Sequence, residues 1–256
     1  MFRKLKITLF LFCMLPGLAI SDDHASAAMP NSLAQVNLCY LNEGKSMADV
    51  EKFNKKFFAW TRRENIEPYS LILTPVANSS DPKTPTYNFI ELLTGSYAKV
   101  GNMWDKISTS KEGQSLLSGW ENIATCSTRF THLVHKYNDT GKTAETDNRV
   151  VEFNRCEVHE GAAGLMKEKH ARMLAADPRG RTNMYWGLML SAAGGESNVF
   201  RHLISYPDMT SYTQGLARRA SPEGMNATRE YNRLYAQCDG PSVWMGRVQH
   251  RPVENS

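Results

Sequence analysis

The sequence predicts an α+β protein built from two tandem copies of one β-α-β-β-α-β unit. Three observations carry this reading. First, Asn37–Gly44 and Asn154–Gly161 share the pattern N-x-C-x-[LV]-x-E-G, with Cys39 and Cys156 lying 117 residues apart. Second, further matches follow in the same order. Tyr69-Ser-Leu-Ile-Leu answers Tyr185-Trp-Gly-Leu-Met, and Phe89-Ile-Glu91-Leu-Leu answers Phe200-Arg-His202-Leu-Ile. Ser110-Lys-Glu112-Gly113 answers Ser221-Pro-Glu223-Gly224, Cys126 answers Cys238, and His132–Lys136 answers Arg247–Arg251. Ordered self-similarity of this kind marks an internal repeat. Third, each copy alternates short β-type runs with longer stretches of helical period.

In the first copy, residues 35–41 form a strand. Ser46 opens a helix that runs to Arg63, with Asp49 in its first turn and Met47, Val50, Phe53, Phe57 and Trp60 at helical spacing. Pro68 ends the turn before a strand at 69–74. The polar stretch 78–85 is a loop and 87–94 a third strand. Residues 97–123 are helical with a break near Ser110–Gly113, and 128–137 form the last strand. The second copy repeats the order as strand 150–158, helix 163–176, strands 184–190 and 198–204, helix 209–236 and strand 243–250. This order is the split βαβ, or ferredoxin-like, unit, with spatial strand order 4-1-3-2.

The domain map is therefore an export signal at 1–27, one repeat at 35–137, a polar linker at 138–149 and a second repeat at 150–251. Arg3, Lys4 and Lys6 precede an apolar run that is too short for a transmembrane span, and small residues follow it. Removal of that segment discards Cys13 and leaves four cysteines, an even number in an exported chain. Four cysteines allow three pairings. Strands 1 and 4 of the unit are antiparallel neighbours, so Cys39 meets Cys126 and Cys156 meets Cys238. The expected location is periplasmic or secreted.

A formal charge of +4, with 30 basic and 26 acidic residues interleaved, argues against nucleic acid as a partner. No P-loop, GxGxxG, HExxH, GxSxG or Cys-His metal cluster is present. The expectation is a monomer with internal pseudo-symmetry, no metal and no resident cofactor.

A sheet covered by helices on one face leaves its other face needing a partner, and a second copy in the same chain supplies it. Phe89-Ile-Glu91-Leu-Leu with Trp104–Gly113, and Phe200-Arg-His202-Leu-Ile with Tyr212 and Ala220–Gly224, resemble the third strand and following helix of the dimeric α+β barrel superfamily. That superfamily includes antibiotic-biosynthesis-monooxygenase-like proteins. The resemblance implies a barrel formed within one chain, and chemistry of the cofactor-independent oxygenase or isomerase type. Some relatives bind haem. Here the axial ligand would be His202 or His132, and binding would be non-covalent because no CxxCH motif exists.

The candidate site residues are polar side chains on the strands. Arg155 should lie between strands that carry His202 and Arg247, making a basic cluster for a small anion. His202 would act as acid or base near neutral pH, and Glu91, its counterpart in the first copy, would oppose it across a pocket. His132 is a third catalytic candidate, and Tyr69 and Tyr185 are candidate ligand contacts. His170 falls on a helix stripe and reads as a core or boundary histidine. His135 and His250 lie at strand ends and read as surface. The expected function is small-molecule binding in a cleft between the two sheets, with an enzyme of the α+β barrel type and a haem protein as alternatives.

Overall fold

The computed structural model describes residues 32–77, 86–176 and 181–252. The export signal and the loop 78–85 expected from the sequence lie outside them. The first half runs β1 (Ser32–Leu41), α1 (Met47–Arg63), β2 (Tyr69–Ala77), β3 (Phe89–Gly95), α2 (Tyr97–Thr109), α3 (Lys111–Glu121) and β4 (Ala124–Asn138). A short helix α4 (Thr140–Glu145) follows. The second half runs β5 (Asn148–Val158), α5 (Ala163–Ala176), β6 (Tyr185–Ala193), β7 (Val199–Tyr206), α6 (Met209–Arg219), α7 (Pro222–Leu234), β8 (Ala236–Cys238) and β9 (Ser242–His250).

All strand pairs are antiparallel. The order is β7-β6-β4-β1-β3-β2-β9-β5, and a β5–β7 pairing closes it into an eight-stranded barrel, with β8 pairing the end of β5. The two halves do more than stack face to face. Their edges join, β4 to β6 and β2 to β9, so no edge of the barrel is left open.

Alternation along each strand sorts the side chains between two covered faces. The inward face holds Ala34, Val36, Leu71, Leu73, Ile90, Leu92, Leu133, Val151, Met189, Leu203, Trp244 and Val248 in one apolar cluster. The cleft expected between the sheets is therefore a packed core, because each of the eight barrel strands sends aliphatic or aromatic side chains to it. The outward faces pack under helices. Leu93 meets Phe57, Trp60, Val100 and Met103 on one side, and Trp186, Leu188 and Phe200 meet Met166 and Tyr231 on the other.

Both disulfides form as expected, Cys39–Cys126 and Cys156–Cys238. In each pair the cysteines are direct cross-strand partners: β4 begins at Ala124, four residues earlier than the sequence suggests, and the short strand β8 carries Cys238 opposite Cys156. Two disulfides fit an oxidising compartment. No helix of the described residues is long and apolar enough to cross a membrane.

The polar stretch 138–149 is folded. Asp139 caps α4 by accepting from the Lys142 amide, and buried Arg149 donates to the carbonyls of Thr143, Thr146 and Asn148. The helical stretch 209–236 is also corrected. It breaks at Ala220–Ser221 into α6 and α7, as 97–123 breaks at Ser110. The Ser-x-Glu-Gly motif builds both breaks. Ser110 and Ser221 accept from the amides of Gly113 and Gly224. A Cβ on Gly113 would sit 2.6 Å from the Lys106 carbonyl oxygen, and one on Gly224 2.3 Å from that of Arg218. Backbone cannot yield as a side-chain tip does. Gly113→Ala should therefore destabilise the protein by about 1–3 kcal/mol in urea unfolding, with the reverse of the usual helix-propensity gain. A stabilised variant would show that the junction has slack.

Candidate functional site

Strand β1 has an unusual outward face. Gln35 and Asn37 alternate with the inward Ala34 and Val36, yet both are buried. Asn37 lies opposite Glu91 on β3 and Thr128 on β4, which brings three polar groups together under α1, α2 and α3. They form a directed chain. Trp104 Nε1 donates to Gln35 Oε1 at 2.9 Å, and Gln35 Nε2 donates to Asn37 Oδ1 at 3.1 Å. Asn37 Nδ2 in turn donates to Glu91 Oε2 at 2.9 Å. Thr128 Oγ1 also donates to Asn37 Oδ1, at 2.8 Å, which fixes that amide's orientation.

These groups line a cavity of about 90 Å³ whose apolar walls include Phe53, Phe57, Leu116 and Trp120. Asn54, on α1 and 2% exposed, faces the same cavity beside Glu91, and its amide makes no well-aligned hydrogen bond among the described residues. Burial pushes the Glu91 carboxyl up to about 7, against the opposing pull of the Asn37 and Asn54 amides. Asn54 thus stands beside Asn37 as a second amide within reach of the Glu91 carboxyl, favouring its charged form. A carboxyl poised there exchanges a proton near neutral pH.

The counterpart of Glu91, His202, lies under the other helices. It is 9% exposed, Nδ1 accepts from Trp186 Nε1 at 3.0 Å, and Nε2 is 3.4 Å from the Tyr231 hydroxyl. That hydroxyl is also 2.8 Å from His170 Nε2. Burial first, then neighbouring positive charge, pulls His202 down to about 3 and His170 to about 4. Both rings are therefore neutral in the folded chain. Their folded values lie below that of an exposed histidine, so their contribution is complete above about pH 6.5. It is lost as pH falls toward 4. Urea unfolding between pH 4 and 6.5 should show stability rising with pH, more steeply in wild type than in His170→Phe. Equal slopes would mean that His170 is already charged in the fold.

Glu91 and His202 consequently do not oppose each other across one pocket. The expected Arg155–His202–Arg247 cluster does not form either. On β5 it is Asn154 that lies opposite His202, whereas Arg155 lies opposite Arg201 and points to the other face. Arg155 is held by Glu196 and Asp239. Arg247 is exposed on an outer groove of about 450 Å³ beside Glu51, Lys55 and Asp147. His132 is half-buried and bonds through Nδ1 to the Tyr97 hydroxyl at 2.8 Å, away from the cavity.

Tyr69 and Tyr185 do converge, at the barrel end where β1 begins, and they join a network. The Tyr185 hydroxyl is 2.9 Å from His135 Nδ1, and His135 Nε2 is 2.9 Å from Ser32 Oγ. The Arg149 guanidinium lies beside Tyr69. Gly187 makes room, since a Cβ there would meet the Tyr185 hydroxyl at 2.5 Å. His135 is thus half-buried on the inward face and bonded through both ring nitrogens. His250, also expected at the surface, is 8% exposed and stacked 4.7 Å from Phe58. In both cases a second covered face lies where the sequence suggests solvent. His170 is buried, as its helix stripe indicates.

Sequence reasoning misses Gln35, Asn37, Asn54, Trp104 and Thr128 as site residues. The available signal is two polar residues in step on a strand, Gln35 and Asn37, and an asparagine inside the apolar stripe of α1.

The fold defined here is a closed antiparallel α+β barrel with helices packed outside it. Solved structures share this fold. A candidate monooxygenase from Fusobacterium nucleatum subsp. nucleatum is 11% identical with a TM-score of 0.55, covering 86% of this chain and 93% of its own. A second candidate monooxygenase, from Lactobacillus acidophilus, is 11% identical with a TM-score of 0.53, over 87% and 95%. An anthrone oxidase-like protein is 11% identical with a TM-score of 0.50, over 90% and 98%. At such identity the likeness is one of fold. No protein-family model and no curated protein sequence matches the chain.

Proposed function

We propose that the protein binds a small, mainly apolar molecule in the cavity under α1–α3, and that Glu91 gives a proton to, or takes one from, its polar end. One observation carries this reading. A buried carboxyl raised to about 7 by desolvation lies in an aromatic-lined cavity, with the Asn37 and Asn54 amides favouring its charged form. A carboxyl held near its midpoint beside open space can pass a proton to or from a group placed there. A cavity of about 90 Å³ suits the end of a ligand or a single small ring. The neighbours described as monooxygenases are compatible with a proton-transfer step of the cofactor-independent oxygenase or isomerase type. They supply fold analogy alone.

In this reading the chain is exported by residues 1–27, and the halves 35–137 and 150–251 are copies of one unit joined by 138–149. Haem gains no support from the two histidines expected to hold it. Both nitrogens of His202 face Trp186 and Tyr231, and Nδ1 of His132 faces Tyr97.

The test is an NMR titration of the full chain with phenol, a small ring bearing one acidic hydroxyl. The Trp104 indole N–H should shift on titration, and the Glu91 carboxyl carbon should titrate with a midpoint near 7. Leu116→Trp, which fills the cavity, should abolish the response to phenol. A Glu91 midpoint below 5, or a response unchanged in Leu116→Trp, overturns the proposal.

A further inference from the structure

At the barrel end where β5 finishes and β7 begins, three arginines face inward. The β5–β7 register sets Arg155 directly opposite Arg201. Both share the inward face of Phe153 and Leu203, which belong to the interior cluster. Arg129 on β4 lies opposite Val36, itself in that cluster, so Arg129 faces inward as well. The turn between β6 and β7 closes over it. Gly194, at φ +74°, brings its Cα so near that a Cβ would stand 3.6 Å from Arg129 Cγ.

The charges in this group do not balance. Arg155 takes both nearby carboxylates, with Glu196 Oε2 2.9 Å from NH2 and 3.0 Å from Nε, and Asp239 Oδ2 3.3 Å from NH1. Arg201 is half-buried and makes no hydrogen bond or ion pair among the described residues. It feels Glu196 and Asp239 only at longer range, alongside repulsion from Arg129 and Arg155. Arg129 is also half-buried, makes no ion pair among the described residues, and has a buried Nε without a partner.

Half-buried guanidiniums are normally paired, because an uncompensated charge loses hydration without gaining a counter-charge. Two of them at one mouth, beside a third whose acids are already engaged, form a site short of an anion. Guanidinium forks match planar or tetrahedral oxyanions through paired N–H donors. We propose that this mouth, built by Arg129 and Arg201 and bounded by Arg155, binds a small oxyanion through a carboxylate or phosphate group. The site is separate from the Glu91 cavity, which lies outside the barrel wall, and it stands or falls independently of that reading.

The experiment is calorimetric titration and thermal unfolding of the oxidised full chain. Sodium phosphate and sodium succinate are compared with sodium chloride at matched ionic strength. Phosphate or succinate should bind and raise Tm where chloride does not, and the stronger of the two identifies the group. Arg201→Gln and Arg129→Gln should each weaken that binding at least about tenfold. Arg172→Gln, on the exposed face of α5, should leave it unchanged. In buffer free of both oxyanions, Arg201→Gln should be no less stable than wild type, since it removes an unpaired charge. An arginine of purely structural role would instead lower Tm there. Equal responses to chloride, wild-type affinity in both glutamine variants, or a Tm loss in oxyanion-free buffer overturns the proposal.

Discussion

Replacing Cys39 and Cys126 together by alanine is expected to lower the unfolding free energy by about 4–5 kcal/mol on the chain-entropy model, an upper figure. The bond closes a loop of 87 residues, and Cys156–Cys238 closes one of 82. The two loops do not overlap in sequence, so their effects on the unfolded chain are independent and their losses should add. Removing both is expected to cost about as much as a domain's whole stability, which is roughly 5–15 kcal/mol. Guanidinium unfolding of the two pairwise variants and of the four-alanine variant measures this. Losses that fail to add would show residual contact between the halves in the denatured state. The size of the effect ties the fold to its compartment, because a chain that needs both bonds is poorly suited to a reducing one.

The same cysteines show how much of the fold is legible in the sequence. Their pairing is expected from recurring sequence motifs and a strand order, neither of which depends on exact element ends. The site does not follow, because it depends on parity. On β5, Asn154 faces the helices with His202 while Arg155 faces the barrel with Arg201, and a shift of one residue exchanges them. Polarity normally identifies the solvent face of a strand. Here one face is covered by the opposing strands and the other by helices, so Gln35, Asn37 and Glu91 are as buried as Val36. The basic cluster expected inside the barrel has a counterpart made of different residues, Arg129 and Arg201 replacing His202 and Arg247. The Ser-x-Glu-Gly repeat has a mechanical meaning that depends on how closely the end of the preceding helix approaches Gly113 and Gly224, and spacing alone does not encode that approach.

Glu91→Gln is expected to be more stable than wild type, by an amount that depends on pH. The folded carboxyl titrates at about 7, against an ordinary value of 4.5. The folded state therefore holds its proton more tightly than the unfolded state. The Glu91 contribution is present in full below pH 4.5 and is lost as pH rises through 7. A difference of this size corresponds to about 3 kcal/mol. Glutamine keeps the Asn37 contact, since its carbonyl still accepts from Nδ2, and it cannot ionise. The advantage of Glu91→Gln should thus be near zero at pH 4.5, grow between pH 5 and 7, and level off at about 3 kcal/mol by pH 8. The buried histidines drop out of the comparison because both proteins carry them. Urea unfolding at pH 5, 6, 7 and 8 decides it, and a difference independent of pH would mean that Glu91 is not buried as described. A carboxyl that destabilises the fold at neutral pH, where an amide of the same shape would not, is the pattern expected of a group retained for its proton rather than for its packing.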